Sequence, residues 1–232
     1  MSDNLRRYCA IQLALKQLYP AGPTGNLARH LNTLAGLVSG IIGSKKTHLP
    51  AIASKIPDRR KRESRSKRFA RFLQNSTVTP ETFFLPYAQA LIESLPPGPL
   101  VLVMDGSVVG RGCMALMLSV LYECPTQQGK LKRALPLCWR VTKAPKGHFT
   151  QQCHQALLAQ VKSLIPANRE VVFLGDGEFD GCDLLADIAA AGWHYVCRTA
   201  KHVLQNTYCW PKPTGRTRPF RFPILACSRV TA

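Results

Sequence analysis

The first hundred residues of the chain place apolar side chains at helical spacing. Apolar positions recur every three to four residues in several stretches, and this spacing predicts amphipathic helices. A proline-rich segment, LPPGPL at 95–100, ends the helical region and predicts a linker. Residues 1–95 are therefore expected to form a small all-helical N-terminal domain. The predicted helices cover residues 5–18, 26–43, 48–56, 63–74 and 80–95.

After the linker, short continuous apolar runs replace the helical spacing and predict buried strands. Three consecutive strands come first, and helices separate the strands that follow. This is the order of the ribonuclease-H-like fold, because a doubly wound sheet needs a helix between its first strands. We expect an α/β protein whose mixed-sheet core spans residues 96–200, followed by an irregular basic tail at 201–232. The predicted strands are 100–104, 113–123, 135–142, 171–175 and 193–199, with helices at 150–165 and 180–191.

Two aspartates directly follow strand-like runs. Asp105 comes after LVLVM, and Asp176 comes after VVFLG. The first and fourth strands are neighbours in a ribonuclease-H-like sheet, so we expect both carboxylates on one side of a metal ion. Hard cations such as Mg²⁺ prefer oxygen ligands, and they assist both the attacking and the leaving oxygen of a phosphodiester. An Asp-Gly pair at a strand end is otherwise an ordinary turn, but two such pairs in a basic chain favour the metal site.

The charge of the chain indicates a polyanionic partner. Lys and Arg number 31 against 13 Asp and Glu, which gives a formal net charge of +18. Such an excess repels itself and usually has a partner of opposite sign. Nucleic acid is the first interpretation, an anionic membrane surface is the second, and association with ribosomes is a third.

The positive charge is densest between residues 55 and 71, where nine basic residues face two acidic ones. Phe69, Phe72 and Leu73 lie on one face of the helix predicted there, which leaves the other faces to offer cations to phosphates. A solvated charged helix and a membrane-surface helix are the alternatives. A helix-turn-helix of residues 48–56 and 63–74 would allow base recognition. The candidate DNA contacts are Arg59, Arg60, Lys61, Arg62, Arg65, Lys67, Arg68 and Arg71, with Arg198 and Lys201 after the last strand.

The cysteines and the N-terminus predict a soluble protein of the reducing cytoplasm. Nine cysteines include no C-x-x-C pair, so a structural zinc site has little support. Their odd number favours free thiols over a disulfide framework. The N-terminus, MSDNLRR, is unlike a signal peptide, and the longest apolar run, 34–42, is too short to span a bilayer.

These segments resemble those of bacterial DDE transposases of the insertion-sequence-four family. The similarity rests on LVLVMDGS around Asp105, VVFLGDGEFDG around Asp176 and WHYVCRTAK after the next helix. Upstream, LAGLVSGIIGSKKTHLPAIASKIPD and ESRSKRFARFLQN are similar to the DNA-binding region of that family. The resemblance runs from about residue 26 to about residue 201.

The resemblance implies a transposase that binds the terminal inverted repeats of an insertion sequence. Such a protein cuts double-stranded DNA with Mg²⁺, for which Mn²⁺ is a substitute, and joins the 3′-hydroxyl ends to target DNA. Asp105 and Asp176 match its first and second catalytic aspartates, which are metal ligands. The family acts as a homodimer on paired ends, which places it in the bacterial cytoplasm, on the nucleoid.

The third acidic residue of the family's site has no counterpart in this sequence. The family carries it in a Tyr…Arg…Glu…Lys signature beyond the last strand, whereas no Asp or Glu follows Asp187 here. We therefore expect a truncated or frameshifted copy whose core is incomplete at the C-terminus. One alternative is a catalytically dead protein that only binds DNA or regulates an intact transposase. A weaker alternative is a general RNA-binding protein.

Overall fold

The computed structural model describes residues 2–58, 60–126, 129–143 and 149–198. Within these residues the protein is α/β, with eight helices and a mixed five-stranded sheet. Arg59, Lys201 and the predicted tail at 201–232 lie outside the described residues. The helices are α1 (Asp3–Gln17), α2 (Gly25–Ser44), α3 (Leu49–Ala53), α4 (Arg62–Gln74), α5 (Pro80–Phe83), α6 (Leu85–Ser94), α7 (Gln151–Lys162) and α8 (Cys182–Ala190). The strands are β1 (Leu100–Gly110), β2 (Cys113–Thr126), β3 (Gly129–Lys143), β4 (Val171–Gly175) and β5 (His194–Cys197).

Three of the predicted N-terminal helices begin and end near the expected residues, namely α1, α2 and α4, whereas α3 is shorter than predicted. The single helix predicted at 80–95 was wrong, because α5 ends at Phe83 and α6 starts at Leu85 with Pro86 in its first turn. Proline lacks the N–H that a continuous helix needs at that point, so it is tolerated in a first turn and breaks an interior. In the described part of the chain, no helix has the length and apolar character needed to cross a membrane.

Helices α2, α3 and α4 enclose a small apolar cluster. Phe69 is fully buried there and Phe72 nearly so, which explains why α4 packs on this side. Leu73, predicted on the same face, is 58% exposed. The buried members of the cluster are Leu37, Ile52, Ala53, Ile56, Phe69 and Phe72.

The sheet has the strand order β3-β2-β1-β4-β5. β1 pairs with β2, and β2 with β3, in antiparallel fashion. β4 pairs parallel to β1 on one side and to β5 on the other. The prediction that β1 and β4 are neighbours is confirmed. Short connections suffice for the antiparallel strands, whereas α8 supplies the crossover that the parallel pair β4 and β5 requires.

β1 is longer than the sequence indicated. It continues through Gly106 and Ser107, and in this stretch Asp105 pairs with Met117 of β2. The expectation that Asp105 ends the strand was therefore wrong. Gly106 and Ser107 do not form a turn because β2 supplies antiparallel ladder partners for them. What ends near Asp105 is the parallel pairing of β1 with β4.

Alternate residues of β1 form the centre of the main core. Leu100, Leu102 and Met104 are buried on one face of the sheet, as the period of two in a strand requires. Helix α6 belongs to this core, although its residues fall in the predicted N-terminal domain. The predicted boundary between residues 95 and 96 stays a prediction. The helices contribute Ala88, Ile92, Leu157, Leu158, Val161, Leu184, Leu185 and Ile188 to the cluster.

The crossing of α2 over α3 predicts opposite effects for two glycines of α2. A Cβ on Gly40 would lie 2.5 Å from Ile52 Cγ2 and 2.7 Å from the Ile52 carbonyl oxygen. We expect Gly40→Ala to destabilise the protein by about 1–3 kcal/mol through overpacking. Gly36→Ala is the matched control, because its Cβ would meet Phe69 at an ordinary 3.5 Å, and it should gain about 0.5–1 kcal/mol of helix stability. Urea unfolding measures both changes, and equal effects would contradict this packing.

Candidate functional site

Asp105 lies on β1, Asp176 follows β4, and both side chains are exposed. The Ser107 hydroxyl donates a hydrogen bond to Asp105 Oδ2 at 3.2 Å. The backbone N–H of Glu178 donates to Asp176 Oδ1 at 2.9 Å. Each carboxylate is thus oriented by a donor two residues further along the chain.

The register of β1 and β4 places the two aspartates at the same level. The parallel ladder ends at the pair Val103–Leu174, and counting two residues further along each chain reaches Asp105 and Asp176. Because side chains alternate along a strand, Asp105 continues the row of Val103 on the face opposite Leu102, and Asp176 follows directly after the end of β4. Neighbouring strands lie about 4.8 Å apart, so this count puts the backbones of the two aspartates about one strand spacing apart, just beyond the end of the parallel ladder.

A tight turn after β4 carries Asp176. The N–H of Phe179 donates to the Asp176 carbonyl, and the N–H of Arg198 donates to the Gly175 carbonyl, both at 3.1 Å. A Cβ on Gly175 would lie 2.8 Å from that of Phe179 and 3.3 Å from Cys197 Sγ. A side chain at this position would therefore force the turn open. The turn also brings the exposed Arg198, predicted as a phosphate contact, next to the aspartate.

Glu178 turns its carboxylate from this turn toward the protein interior. The N–H of Phe149 donates to Glu178 Oε1 at 2.9 Å. His154 Nε2 lies 3.7 Å from the same oxygen, and the exposed side-chain fractions are 16% for the glutamate and 4% for the histidine. A Cβ on Gly106 would lie 3.7 Å from Glu178 Oε2. One carboxylate therefore reaches the residue that follows Asp105.

Asp105 and Asp176 offer hard oxygen donors of the kind that Mg²⁺ and Mn²⁺ accept. One oxygen of each takes the hydrogen bond given above, and within the described residues the other oxygen accepts none. Mg²⁺ is commonly held by one or two carboxylates and completes its shell with water and substrate phosphate, a requirement the pair fits. Across the described residues, no three or more His, Cys, Asp or Glu side chains gather as a metal-ligand group, so a third protein ligand is absent there.

The buried Cys138 and the partly buried Cys197 have raised thiol pKa values. Cys197 borders the turn and donates to the Phe179 carbonyl at 3.5 Å. Burial, reinforced by the negative charge of Asp180, raises its pKa to about 11. Burial raises the pKa of Cys138 to about 12. At these pKa values both thiols are protonated at neutral pH, and the protonated thiol is a poor nucleophile.

The structure divides the predicted DNA contacts of the basic segment into two groups. Arg65 and Arg68 are partly buried and form ion pairs with Asp58 at 2.9 Å and 3.5 Å. These two arginines are held against the protein, whereas the remaining described members face solvent. The exposed members are Arg60, Lys61, Arg62, Lys67 and Arg71.

Arg65 connects α4 to the loop at 54–61. Its guanidinium donates to the Ile56 carbonyl at 2.9 Å, to the Arg60 carbonyl at 2.9 Å and 2.6 Å, and also to the Ala53 carbonyl. The side chain is 13% exposed. The loop is longer than the three- to four-residue turn of a helix-turn-helix. Arg65 donates hydrogen bonds to backbone carbonyl groups that would otherwise lack partners in a loop of this length.

Sequence reasoning missed a second group of cations. Beyond Asp105, β1, β2 and β3 continue as a three-stranded extension, which comprises residues 106–116 and 140–143. Its basic residues are isolated in the sequence, so they do not form a basic run that sequence analysis would detect. A signal was nevertheless present, because residues 106–122 and 129–143 contain no Asp or Glu. The exposed cations of the extension are Arg111, Arg140 and Lys143.

Trp139 lies in the same row of the sheet as Asp105. Asp105 pairs with Met117, and Met117 pairs with Trp139. Directly paired residues project on the same face of a sheet. The indole is 43% exposed and packs edge-on against Phe84, with the ring centroids 4.5 Å apart. An aromatic ring therefore shares the face of the carboxylates, about 10 Å away at two strand spacings.

Comparison of the chain with protein-family models gives no match, and comparison with curated proteins gives none either. The character of the site rests on the chain's own residues. These are Asp105 on β1, Asp176 directly after the neighbouring parallel strand β4, the exposed Arg198 next to Asp176, and a basic helix.

The inward position of Arg65 separates stability from binding in the basic helix. We expect Arg65→Ala to lower the free energy of unfolding by about 2 kcal/mol, because charged hydrogen bonds to the loop are lost. Lys67→Ala, on the exposed side of the same helix, should change it by less than about 0.5 kcal/mol. Chemical denaturation compares the two, and similar effects would show that Arg65 does not hold the loop.

The raised pKa values predict which cysteines react in the native protein. At pH 8, iodoacetamide should label the exposed Cys9 and Cys182 well before Cys138 and Cys197, because the thiolate is the reacting form. Mass spectrometry of tryptic peptides at successive times gives the order. Prior unfolding in urea should remove the difference, and early labelling of Cys197 in the native protein would contradict the closed turn.

Proposed function

We propose that the chain is a DDE transposase of the insertion-sequence-four family, with a ribonuclease-H-like core behind a helical DNA-binding domain. One observation carries the proposal, namely that Asp105 and Asp176 each lie two residues beyond Val103–Leu174, the last pair of the parallel β1–β4 ladder. The strand order supports it, because a ribonuclease-H-like core predicts that the first and fourth strands are neighbours, and β1 lies next to β4. The net charge of +18 supports a DNA substrate.

Asp105 and Asp176 would hold Mg²⁺, or Mn²⁺ in its place. When bound, such ions assist the attack on a phosphodiester and stabilise the leaving oxygen. The contribution of the chain's own residues is to orient the two carboxylates. The Ser107 hydroxyl and the Glu178 N–H fix one oxygen of each carboxylate and leave the other toward solvent. Rigid carboxylates of this kind need little reorganisation when substrate arrives.

Two surfaces are suited to the phosphates of double-stranded DNA. The exposed side of α4 carries Lys67 and Arg71 one helical turn apart and is the proposed contact to the terminal inverted repeats. The three-stranded extension carries Arg111 and Lys143 at its far end, five to six residues beyond the level of Asp105, and is the proposed contact to the DNA that flanks the cleaved bond. Trp139 adds an aromatic face, which in nucleic-acid proteins stacks on unpaired bases.

The proposed partners and location follow from the same reading. A homodimer on paired ends brings two copies of the carboxylate pair to the two termini of one element, and target DNA is the second substrate. Terminal repeats and target are chromosomal, which places the protein on the nucleoid in the bacterial cytoplasm.

A second candidate is a DNA-binding protein that does not cut. It is favoured by the absence, in the described part of the chain, of any group of three or more potential metal ligands. Such a protein would occupy the inverted repeats and interfere with an intact transposase. Both candidates share the exposed cations of α4 and differ in what divalent ions do to bound DNA.

Cleavage of an end-labelled duplex tests the proposed activity. The duplex carries the terminal repeat that flanks the chain's own reading frame, and Mg²⁺ or Mn²⁺ starts the reaction. We expect nicking at the repeat end that Asp105→Asn and Asp176→Asn each lower by about a hundredfold or more, because one ligand of the ions is lost. Asp183→Asn removes an exposed carboxylate of α8 and is the control that should cut normally.

The outcomes separate the two candidates. Binding of the repeat without nicking in either ion would support the DNA-binding protein and reject the enzyme. Nicking that survives in both aspartate variants would reject the assigned site. Equal affinity for the repeat and for an unrelated duplex would reject terminal-repeat recognition in both candidates.

Salt dependence of binding tests the two phosphate surfaces. Each cation that contacts a phosphate contributes about one unit to the slope of log affinity against log salt concentration. We expect Lys67→Gln with Arg71→Gln, and separately Arg111→Gln with Lys143→Gln, to reduce the slope by about two units each. Lys16→Gln on α1 is the control cation. Fluorescence anisotropy over a salt series measures the slopes, and an unchanged slope would remove that surface from the proposed interface.

A further inference from the structure

We infer that Glu178 is a positioning residue that sets the geometry of the carboxylate pair from beneath the site. The inference rests on the proposed function, because the pair is what Glu178 positions. It names a role for a third acid that is distinct from the role of a metal ligand. The same residue hydrogen-bonds Asp176 and directs its carboxylate toward β1 beside Asp105, and this juxtaposition carries the argument.

The first contact acts on Asp176. The backbone N–H of Glu178 donates to Asp176 Oδ1 at 2.9 Å, so any shift of residue 178 moves the orientation of that carboxylate. The turn is also closed by the bond between the Phe179 N–H and the Asp176 carbonyl at 3.1 Å. Glu178 thus lies inside the turn that presents Asp176.

The second feature is the position of the carboxylate beside β1. Glu178 Oε2 lies 3.7 Å from the position that a Cβ on Gly106 would occupy, so the absence of a side chain there leaves room for the carboxylate next to the strand. Gly106 is the residue after Asp105 and projects toward the opposite face of the sheet. The Glu178 carboxylate therefore faces β1 at the residue after Asp105, where it can limit how closely the turn approaches the strand.

The third contact fixes the carboxylate itself. Glu178 Oε1 accepts the N–H of Phe149 at 2.9 Å, just ahead of α7, and lies 3.7 Å from His154 Nε2 on that helix. The His154 ring packs edge-on against Phe179, with centroids 4.9 Å apart. Through these contacts α7 holds the side chain and the turn together.

The burial of Glu178 argues for a specific role. A carboxylate that is 16% exposed is costly to bury unless it is hydrogen-bonded. The hydrogen bond from the Phe149 N–H offsets part of that cost, but an apolar side chain of similar size often stabilises a fold as well as a buried charged group does. What an apolar side chain would lack is the directed hydrogen bond from Phe149, which defines one position of the turn relative to β1.

Divalent-ion binding by the full chain tests the inference without relying on activity. Mn²⁺ is titrated into the protein, and free Mn²⁺ is read by electron paramagnetic resonance. Glu178→Gln keeps an oxygen acceptor at the same reach, whereas Glu178→Ala removes it and Glu178→Asp retracts it by one methylene. Loss of a residue that orients a ligand typically lowers metal affinity about 10- to 100-fold. We expect about tenfold weaker Mn²⁺ binding for Ala and Asp and a change under about threefold for Gln.

Circular dichroism and thermal melts accompany each titration, so that loss of folding is separated from loss of positioning. Folded Ala or Asp variants that bind Mn²⁺ as tightly as wild type would overturn the inference. Equal weakening in Gln and Ala would also overturn it, because the charge and not the hydrogen bond would then matter. Unfolding of all three variants would assign Glu178 to the fold alone.

Asp105→Asn and Asp176→Asn keep this test distinct from that of the proposed function. If wild type binds Mn²⁺ and both aspartate variants lose this binding, the proposed metal site is supported. The Glu178 variants then test the inference independently. If wild type binds no Mn²⁺, or if the aspartate variants bind it normally, the proposed metal site fails and the inference fails with it.

Discussion

The parallel pairing of β1 with β4 is the constraint on which the candidate site depends. Asp105 and Asp176 are separated by a hairpin, a further strand and a helix in the chain, and no local interaction brings them together. The ladder that ends at Val103–Leu174 sets their level, and the alternation of side chains sets their face. Because a shift of one residue would turn one carboxylate toward the core, the register specifies the site as well as the sheet.

The burial pattern explains why this register is stable. Leu102 and Met104 of β1 and Phe173 of β4 are buried in one cluster with side chains of α7 and α8. Any slip of β4 against β1 would expose those side chains and bury Leu174 or Asp176 in their place. The apolar face of the sheet therefore holds the polar face in position, and the two aspartates depend on side chains that they do not contact.

Positive charge serves two different purposes in the basic segment. Arg65 and Arg68 neutralise Asp58 and, through Arg65, saturate carbonyl groups of the loop at 54–61. Their neighbours Lys67 and Arg71 remain exposed. A single run of similar residues thus contains both a structural element of the helical region and a surface for polyanions. The packing of α3 and α4 determines which of these cations are exposed and which have ion-pair partners. It therefore determines which cations support the fold and which are free to contact a polyanion.

The sequence by itself determined the α/β class, the order of the elements and the two aspartates, because helical spacing, continuous apolar runs and the charge balance are local properties of the chain. It placed β4 at its observed residues, Val171–Gly175, since a short apolar run between polar segments has few alternatives. It misplaced the end of β1, because the ladder through Gly106 and Ser107 depends on β2. It joined α5 to α6 because Pro86 was read inside a helix and not at the start of one.

Only the tertiary structure decided the rest. The inward turn of Glu178 needs Phe149 and His154, which lie more than twenty residues away in the chain. The placement of Trp139 in the same row as Asp105 depends on two strand pairings, that of β1 with β2 and that of β2 with β3. The division of the basic segment into ion-paired and exposed cations depends on Asp58 and on how α4 packs. In each case the deciding contact joins residues that are distant in sequence, and neither periodicity nor composition carries information about such contacts.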